Sequence, residues 1–208
     1  MFLDAPRGFR NPDLVAARME MLESEPRVQP LREWAADLAA RRDAVVPWFD
    51  PAEAGIDTRV LLVFEAPGPM TFEGHKRRGS GFISADNNDQ TAENTWRSRA
   101  EAGLHDGALC WNIVPWYLGP PASVRPTADD LKDGADALVE LMRLLPKLDT
   151  VVVSGRFAQR GWNRHLAHSL RRPDVRVIET WHPSPLALNH PGKRDEYVAA
   201  LREAATAP

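Results

Sequence analysis

Residues Arg59–Pro69 read RVLLVFEAPGP, an apolar run cut off by one acid and then by two prolines around a glycine. An apolar run without polar alternation suits a strand buried on both faces, and such strands belong to parallel sheets covered by helices. Three further runs share the β-rich character: Ala108–Val114 (ALCWNIV), Asp149–Ser154 (DTVVVS) and Val175–Thr180 (VRVIET). Helical patterns separate them. Thr91–Gly103 ends at a glycine, and Thr127–Leu145 opens with Thr127 and Asp130 in capping-box spacing and stops before Pro146. Arg156–Leu170 and Lys193–Ala204 complete the alternation, and Asn11–Ser24 and Leu31–Ala44 form a helical pair upstream. Strands alternating with helices imply right-handed βαβ crossovers. The expected fold is a three-layer α/β/α domain with a central, mostly parallel four-stranded sheet. Residues 1–58 form an N-terminal helical extension to the 59–208 core, all within a single domain spanning 1–208.

In open sheets of this class, ligands bind beyond the carboxyl ends of the strands. That rule gathers four loops on one edge: the EAPGPM loop from Glu65, the NIVPWY loop from Asn112, the SGRF turn from Ser154 and the WHPSPL loop from Trp181. The conspicuous polar residue after each strand is thereby brought toward one place. Residues 65–90 form a long, glycine-rich connection without a strand or helix signal, and loops of that length in compact domains are commonly functional.

Composition narrows the classes. The 208 residues are 43% hydrophobic and 26% charged, a globular balance. No strictly apolar run exceeds five residues, far below the ~20 that span a bilayer, and no basic n-region precedes an apolar stretch at the start. A soluble, intracellular protein is expected. The single cysteine, Cys110, excludes an intrachain disulfide framework, a four-cysteine zinc site and an all-cysteine iron–sulfur cluster. His165 and His168 lie three apart with no acidic partner, so no metal is expected. Residues 151–208 carry nine Lys/Arg against five Asp/Glu, whereas residues 1–150 carry 17 against 24. One basic quarter on an acidic chain is compatible with an anionic partner. The G-x-S-x-G of a serine hydrolase and the Walker loop of a phosphate-binding NTPase are both absent.

The phrase FEAPGP at Phe64–Pro69, Asn112 at a strand end, VVVSGRFA at Val151–Ala158 and HPSPL at His182–Leu186 resemble, in order and spacing, the uracil-DNA glycosylase superfamily. Its first motif is of the type G-[QEM]-[DAN]-P-[YG] and its last of the type H-P-[SA]-P, and the resemblance covers Arg59 to Ala204. It implies a monofunctional, cofactor-free hydrolase of a cluster-free branch. Such an enzyme flips a uracil or related deaminated base from DNA, cuts its N-glycosidic bond and leaves an abasic site for base excision repair. DNA is the implied partner, the protein acting as a monomer in the cytoplasm (nucleoid-associated if bacterial). A non-catalytic nucleic-acid or nucleobase-binding module on the same fold is the alternative.

The resemblance also assigns roles. His182 would donate to O2 of the leaving base as a neutral imidazole, where charge develops. Asn112 would match N3–H and O4 of uracil with its amide. Ala66, Pro67 and Gly68 would line the base pocket, with Gly68 where the uracil-strict branch has a bulky tyrosine, and Phe82 would stack on the base. The first-motif aspartate of the best-known branch is replaced by Ala66. This leaves Glu65 and Asp86 as the two candidate water-positioning carboxylates, with Asp89 third. Ser154, the Gly155 amide, Ser184 and Pro185 would contact phosphates, Leu186 would fill the gap left by the flipped base, and Lys193 and Arg194 would reach the DNA backbone. The basic stretch His75–Arg78 reads as a solvated turn or a DNA-facing one.

Overall fold

The computed structural model describes residues 4–72, 79–119, 124–167 and 174–206. Two helices lead the chain, α1 (Pro12–Ser24) and α2 (Gln29–Arg42). Asn11 caps α1 by accepting from the Asp13 amide, and a proline occupies the first turn of each helix, where its missing N–H costs nothing. A two-residue strand, β1 (Trp48–Phe49), follows. Next come β2 (Val60–Phe64), a second two-residue strand β3 (Phe82–Ile83), and helix α3 (Gln90–Ala102). The chain continues through β4 (Ala108–Asn112), α4 (Ala128–Arg143), β5 (Thr150–Ser154) and α5 (Arg156–Gly161), the last extended by a π turn over Trp162–Leu166. It closes with β6 (Arg176–Thr180), the single turn α6 (Pro185–Leu188) and α7 (Lys193–Ala205).

The main sheet is all-parallel with order β4-β2-β5-β6. Every residue of β2, β4 and β5 is buried, as unalternating apolar runs require. Helices cover both faces. Helix α3 lies against α7, and α7 against β5 and β6; on the other side α4 packs on α5 and α2. Gly134 of α4 sits so close to β4 that a Cβ there would lie 2.0 Å from the Ile113 carbonyl oxygen. The Thr127–Asp130 capping box forms as expected.

Two features escape the sequence pattern. Strands β1 and β3 pair in parallel, Trp48 with Phe82 and Phe49 with Ile83, making a second small sheet. Aromatic rings join α2 and β1 to the core: Trp34 of α2 lies 5.8 Å from Trp111, and Phe49 of β1 stacks on Trp111 at 3.8 Å between centroids. Among the described residues no helix is long and apolar enough to cross a membrane.

Candidate active site

Strand β2 sends its connection toward β4, and β5 sends its connection the opposite way toward β6. The sheet order therefore reverses between β2 and β5, and a crevice opens above their carboxyl ends. A cavity of about 710 Å³ occupies this place. Glu65, Asn112 and His182 line it together, from three different strand ends. The first-motif backbone is stitched to the end of β4, with the Ile113 amide donating to Phe64 O at 2.8 Å and the Val114 amide to Glu65 O at 3.1 Å. This holds Glu65 and Asn112 side by side without using either side chain.

His182 is fixed by its neighbours. The Ser184 amide donates to His182 Nδ1 at 3.2 Å, so in the neutral ring the proton resides on Nε2. Burial, with a further contribution from the Arg125 charge, pushes its pKa down to about 4. The ring meets Phe64 edge-on at 6.1 Å. Gly155, at φ +91°, makes room: a Cβ there would stand 2.7 Å from His182 Cβ. The site thus offers a neutral N–H donor in a partly desolvated cavity.

Asn112 is 3% exposed. Among the described residues its amide makes no hydrogen bond, which leaves both its acceptor and its donors for a ligand. Glu65 is held above the ordinary glutamate range by burial, and Arg125 and Arg156 pull it back. Arg125 Nε lies 3.8 Å from Glu65 Oε1. Both arginines line the cavity; Arg125 belongs to no motif, and Arg156, although it stands in the SGRF turn, carries no role that the motif assigns. Ala66, Pro67 and Gly68 line it as expected, and open space surrounds Gly68, with nothing within 4 Å of a Cβ built there.

Other expected residues lie elsewhere. Asp86 is wholly buried and ion-paired with Arg18 at 2.9 Å, so it does not line the cavity. Asp89 lines the cavity but caps α3, accepting from the Ala92 amide at 2.9 Å. Phe82 is also fully buried and faces Phe9, with ring centroids 6.1 Å apart; its neighbour Ile83 lines the cavity instead. Successive residues of a strand point to opposite sides, so the two cannot share that face.

Ser154 and Gly155 are likewise displaced from their expected role. Ser154 is fully buried, and the Gly155 amide donates to Thr180 O at 2.9 Å, so neither presents a donor to a phosphate. Ser184 and Leu186 line the cavity, Leu186 being 83% exposed, with Pro185 opening the α6 turn between them. Lys193 lies 3.9 Å over the Trp181 ring, and Arg194 pairs with Glu101 at 2.6 Å. Both are thereby turned to intramolecular partners. The stretch His75–Arg78 and His168 lie outside the described residues.

Comparison with known proteins adds the following. The model of the Uracil DNA glycosylase superfamily matches residues 51–206. No curated protein matches the sequence. Among solved structures, a mimivirus UNG variant in complex with UGI is similar at 15% identity and a TM-score of 0.42, covering 90% of this chain and 73% of that one.

Proposed function

Because this chain belongs to the uracil-DNA glycosylase superfamily, we propose that it hydrolyses the N-glycosidic bond of uracil or a related deaminated base in DNA, leaving an abasic site. The observation that carries this reading is His182, a neutral imidazole whose Nδ1 is occupied by the Ser184 amide, in one cavity with Glu65 and with an Asn112 amide that makes no hydrogen bond among the described residues. A base flipped into the cavity would present its Watson–Crick edge to Asn112. As the glycosidic bond stretches, negative charge grows on the base and positive charge on the sugar. The Nε2–H of His182 stabilises the first, and a donor placed where charge develops is worth ~3 kcal/mol or more in the transition state. Glu65 stabilises the second and positions water, the role of carboxylates in glycoside hydrolysis. Arg125 and Arg156 oppose the upward pull of burial on the Glu65 carboxyl, and they soften its repulsion for the phosphates of an incoming strand.

Leu186, projecting from the mouth of the cavity, suits the space vacated by the flipped base. Open space beside Gly68 supports acceptance of bases larger than uracil. The test is a panel of oligonucleotides, each with one damaged base, in single- and double-stranded form, scored for alkali-sensitive breaks and for released base. Cleavage of at least one deaminated base is the expected result. Tight, lesion-selective binding with no abasic product would instead assign a non-catalytic binding module.

A further inference from the structure

The cavity wall formed by Ile83, Ser84, Ala85, Asn87 and Asp89 has little regular structure of its own, since β3 ends at Ile83 and α3 begins at Gln90. Part of what fixes it is local, with Asn87 donating to Phe82 O and accepting from the Ser80 hydroxyl, and the rest comes from the N-terminal 50 residues, ahead of the family-matched region. Arg18 of α1, 6% exposed, pairs through one guanidinium nitrogen with Asp50 and through the other with Asp86 at 2.9 Å. Asp50 in turn accepts from the Ser84 hydroxyl. The Phe9 amide donates to Asp86 O at 3.0 Å, and the Phe9 ring lies between the Arg18 guanidinium, 5.2 Å away, and Phe82. Two outer contacts extend the grip: Arg10 Nε donates to Asn88 Oδ1 at 3.0 Å, and Arg7 pairs with Glu93 at 2.6 Å.

We propose that the N-terminal segment is a strap that sets the position of this wall, with Arg18 as the positioning residue. The inference rests on the glycosylase reading for its effect on rate and selectivity, though not for its mechanics. Ser84 and Ala85 have short side chains, so their distance from a bound base is set by the backbone. That backbone is tied to the strap at residue 86, where the carbonyl accepts from the Phe9 amide and the carboxylate pairs with Arg18, and at residue 84 through the hydroxyl that donates to Asp50. A buried guanidinium between two buried carboxylates is a poor source of net stability but a stringent one of registry, because a shifted partner leaves a charge unpaired. Misplacing a reacting group by ~1 Å costs ~10²-fold in rate, so a modest slackening of the strap is read out strongly.

The experiment compares Arg18→Gln, Arg18→Lys, Asp86→Asn, the Arg18→Gln/Asp86→Asn double variant and the surface variant Arg7→Gln/Arg10→Gln with wild type. Amide hydrogen exchange over residues 84–89 is measured without DNA, and single-turnover cleavage is measured on uracil and on a bulkier 5-substituted uracil. Exchange over 84–89 should speed up in every variant, least in Arg18→Lys, which keeps the charge but cannot bridge both carboxylates. Cleavage of uracil should fall by about tenfold or more for Arg18→Gln and Asp86→Asn alike, while preference between the two bases narrows. The double variant should be no slower than the slower single one, because both residues act through one contact. Should Arg18→Gln fail to fold, the surface variant, which leaves the buried charges paired, decides the matter through exchange and base preference at an unchanged melting temperature.

Unaltered exchange over 84–89 in folded variants would overturn the strap. So would multiplicative losses in the double variant, which would return Asp86 to an independent chemical role. If wild type cleaves no base in the panel, the glycosylase reading fails, and the exchange data still judge the strap.

Discussion

At the scale of single residues, the proposed mechanism divides the chemistry between His182 and Glu65 by charge state. His182 is held near a pKa of about 4 against an ordinary 6.5, so the folded protein binds fewer protons than the unfolded chain between those values. Stability contributed by the neutral ring is complete above pH 6.5 and lost as pH falls toward 4, by up to about 3 kcal/mol. His182→Ala should flatten that part of the pH–stability curve in denaturant titrations. The same variant should lose cleavage rate while retaining affinity for uracil-containing DNA, because O2 gains charge only in the transition state. Wild-type rate should not drop between pH 6 and 8 through deprotonation of His182, whose donor is the neutral ring. On the proposed mechanism the acid limb belongs to Glu65, which must be ionised to position water. Removing a cation that pulls its pKa down raises that pKa further, so Arg125→Gln should move the acid limb of the single-turnover profile to higher pH. Asn112→Asp should relax the choice of base toward cytosine, whose amino group a carboxylate accepts where it cannot donate to O4 of uracil.

At the scale of elements, the turns carry as much of the site as the strands do. Gly155 and Gly134 are both places where backbone must touch a neighbour, yet they serve different ends. Gly155→Ala drives a Cβ to 2.7 Å from His182 Cβ at a φ of +91°, so it should displace the imidazole and cost cleavage more than ~10²-fold. Gly134→Ala drives one to 2.0 Å from the Ile113 carbonyl oxygen, forcing α4 off β4, and should lower stability by ~2 kcal/mol or more in chemical denaturation. Strands β2, β4 and β5 were legible because burial on both faces leaves an unalternating apolar run, whereas β6, with Val177 exposed, was legible only from its β-rich residues; three of the four strand ends carry the motif residues of the cavity. Strands β1 and β3 were not, because two residues show no period. The resemblance placed Phe82 at the base, and no local period corrected it: which of Phe82 and Ile83 faces the cavity depends on the strand's phase, which the pairing with β1 fixes. Gly155 was visible as a glycine at a strand–helix turn, a signal shared by phosphate loops and by close packing. Asp86 was visible as an acid, but its partner Arg18 lies 68 residues away and no local pattern joins them.

At the scale of the whole molecule, the uneven charge of the chain does not convert directly into a DNA-binding face. Several cations of the basic C-terminal quarter are engaged within the protein. Arg194 and Arg202 share Glu101, Arg176 donates to the carbonyls of Glu203 and Thr206, and Lys193 covers Trp181. Among the described residues the cations at the cavity are Arg125, which comes from the acidic portion, and Arg156, which opens α5. Each phosphate contact made by a cation releases counterions and steepens the fall of affinity with salt by ~0.9 for duplex DNA. If docking is centred on the cavity, Arg125→Gln and Arg156→Gln should each reduce the slope of log affinity against log salt by about one, across damaged and undamaged sequences alike. Arg194→Gln and Arg202→Gln, whose guanidiniums are held by Glu101, should leave the slope unchanged. Titrations of a uracil-containing duplex at several salt concentrations distinguish the two patterns. A slope that falls for the Glu101 pair and not for the cavity pair would move the DNA path off the cavity mouth and onto the α3–α7 face.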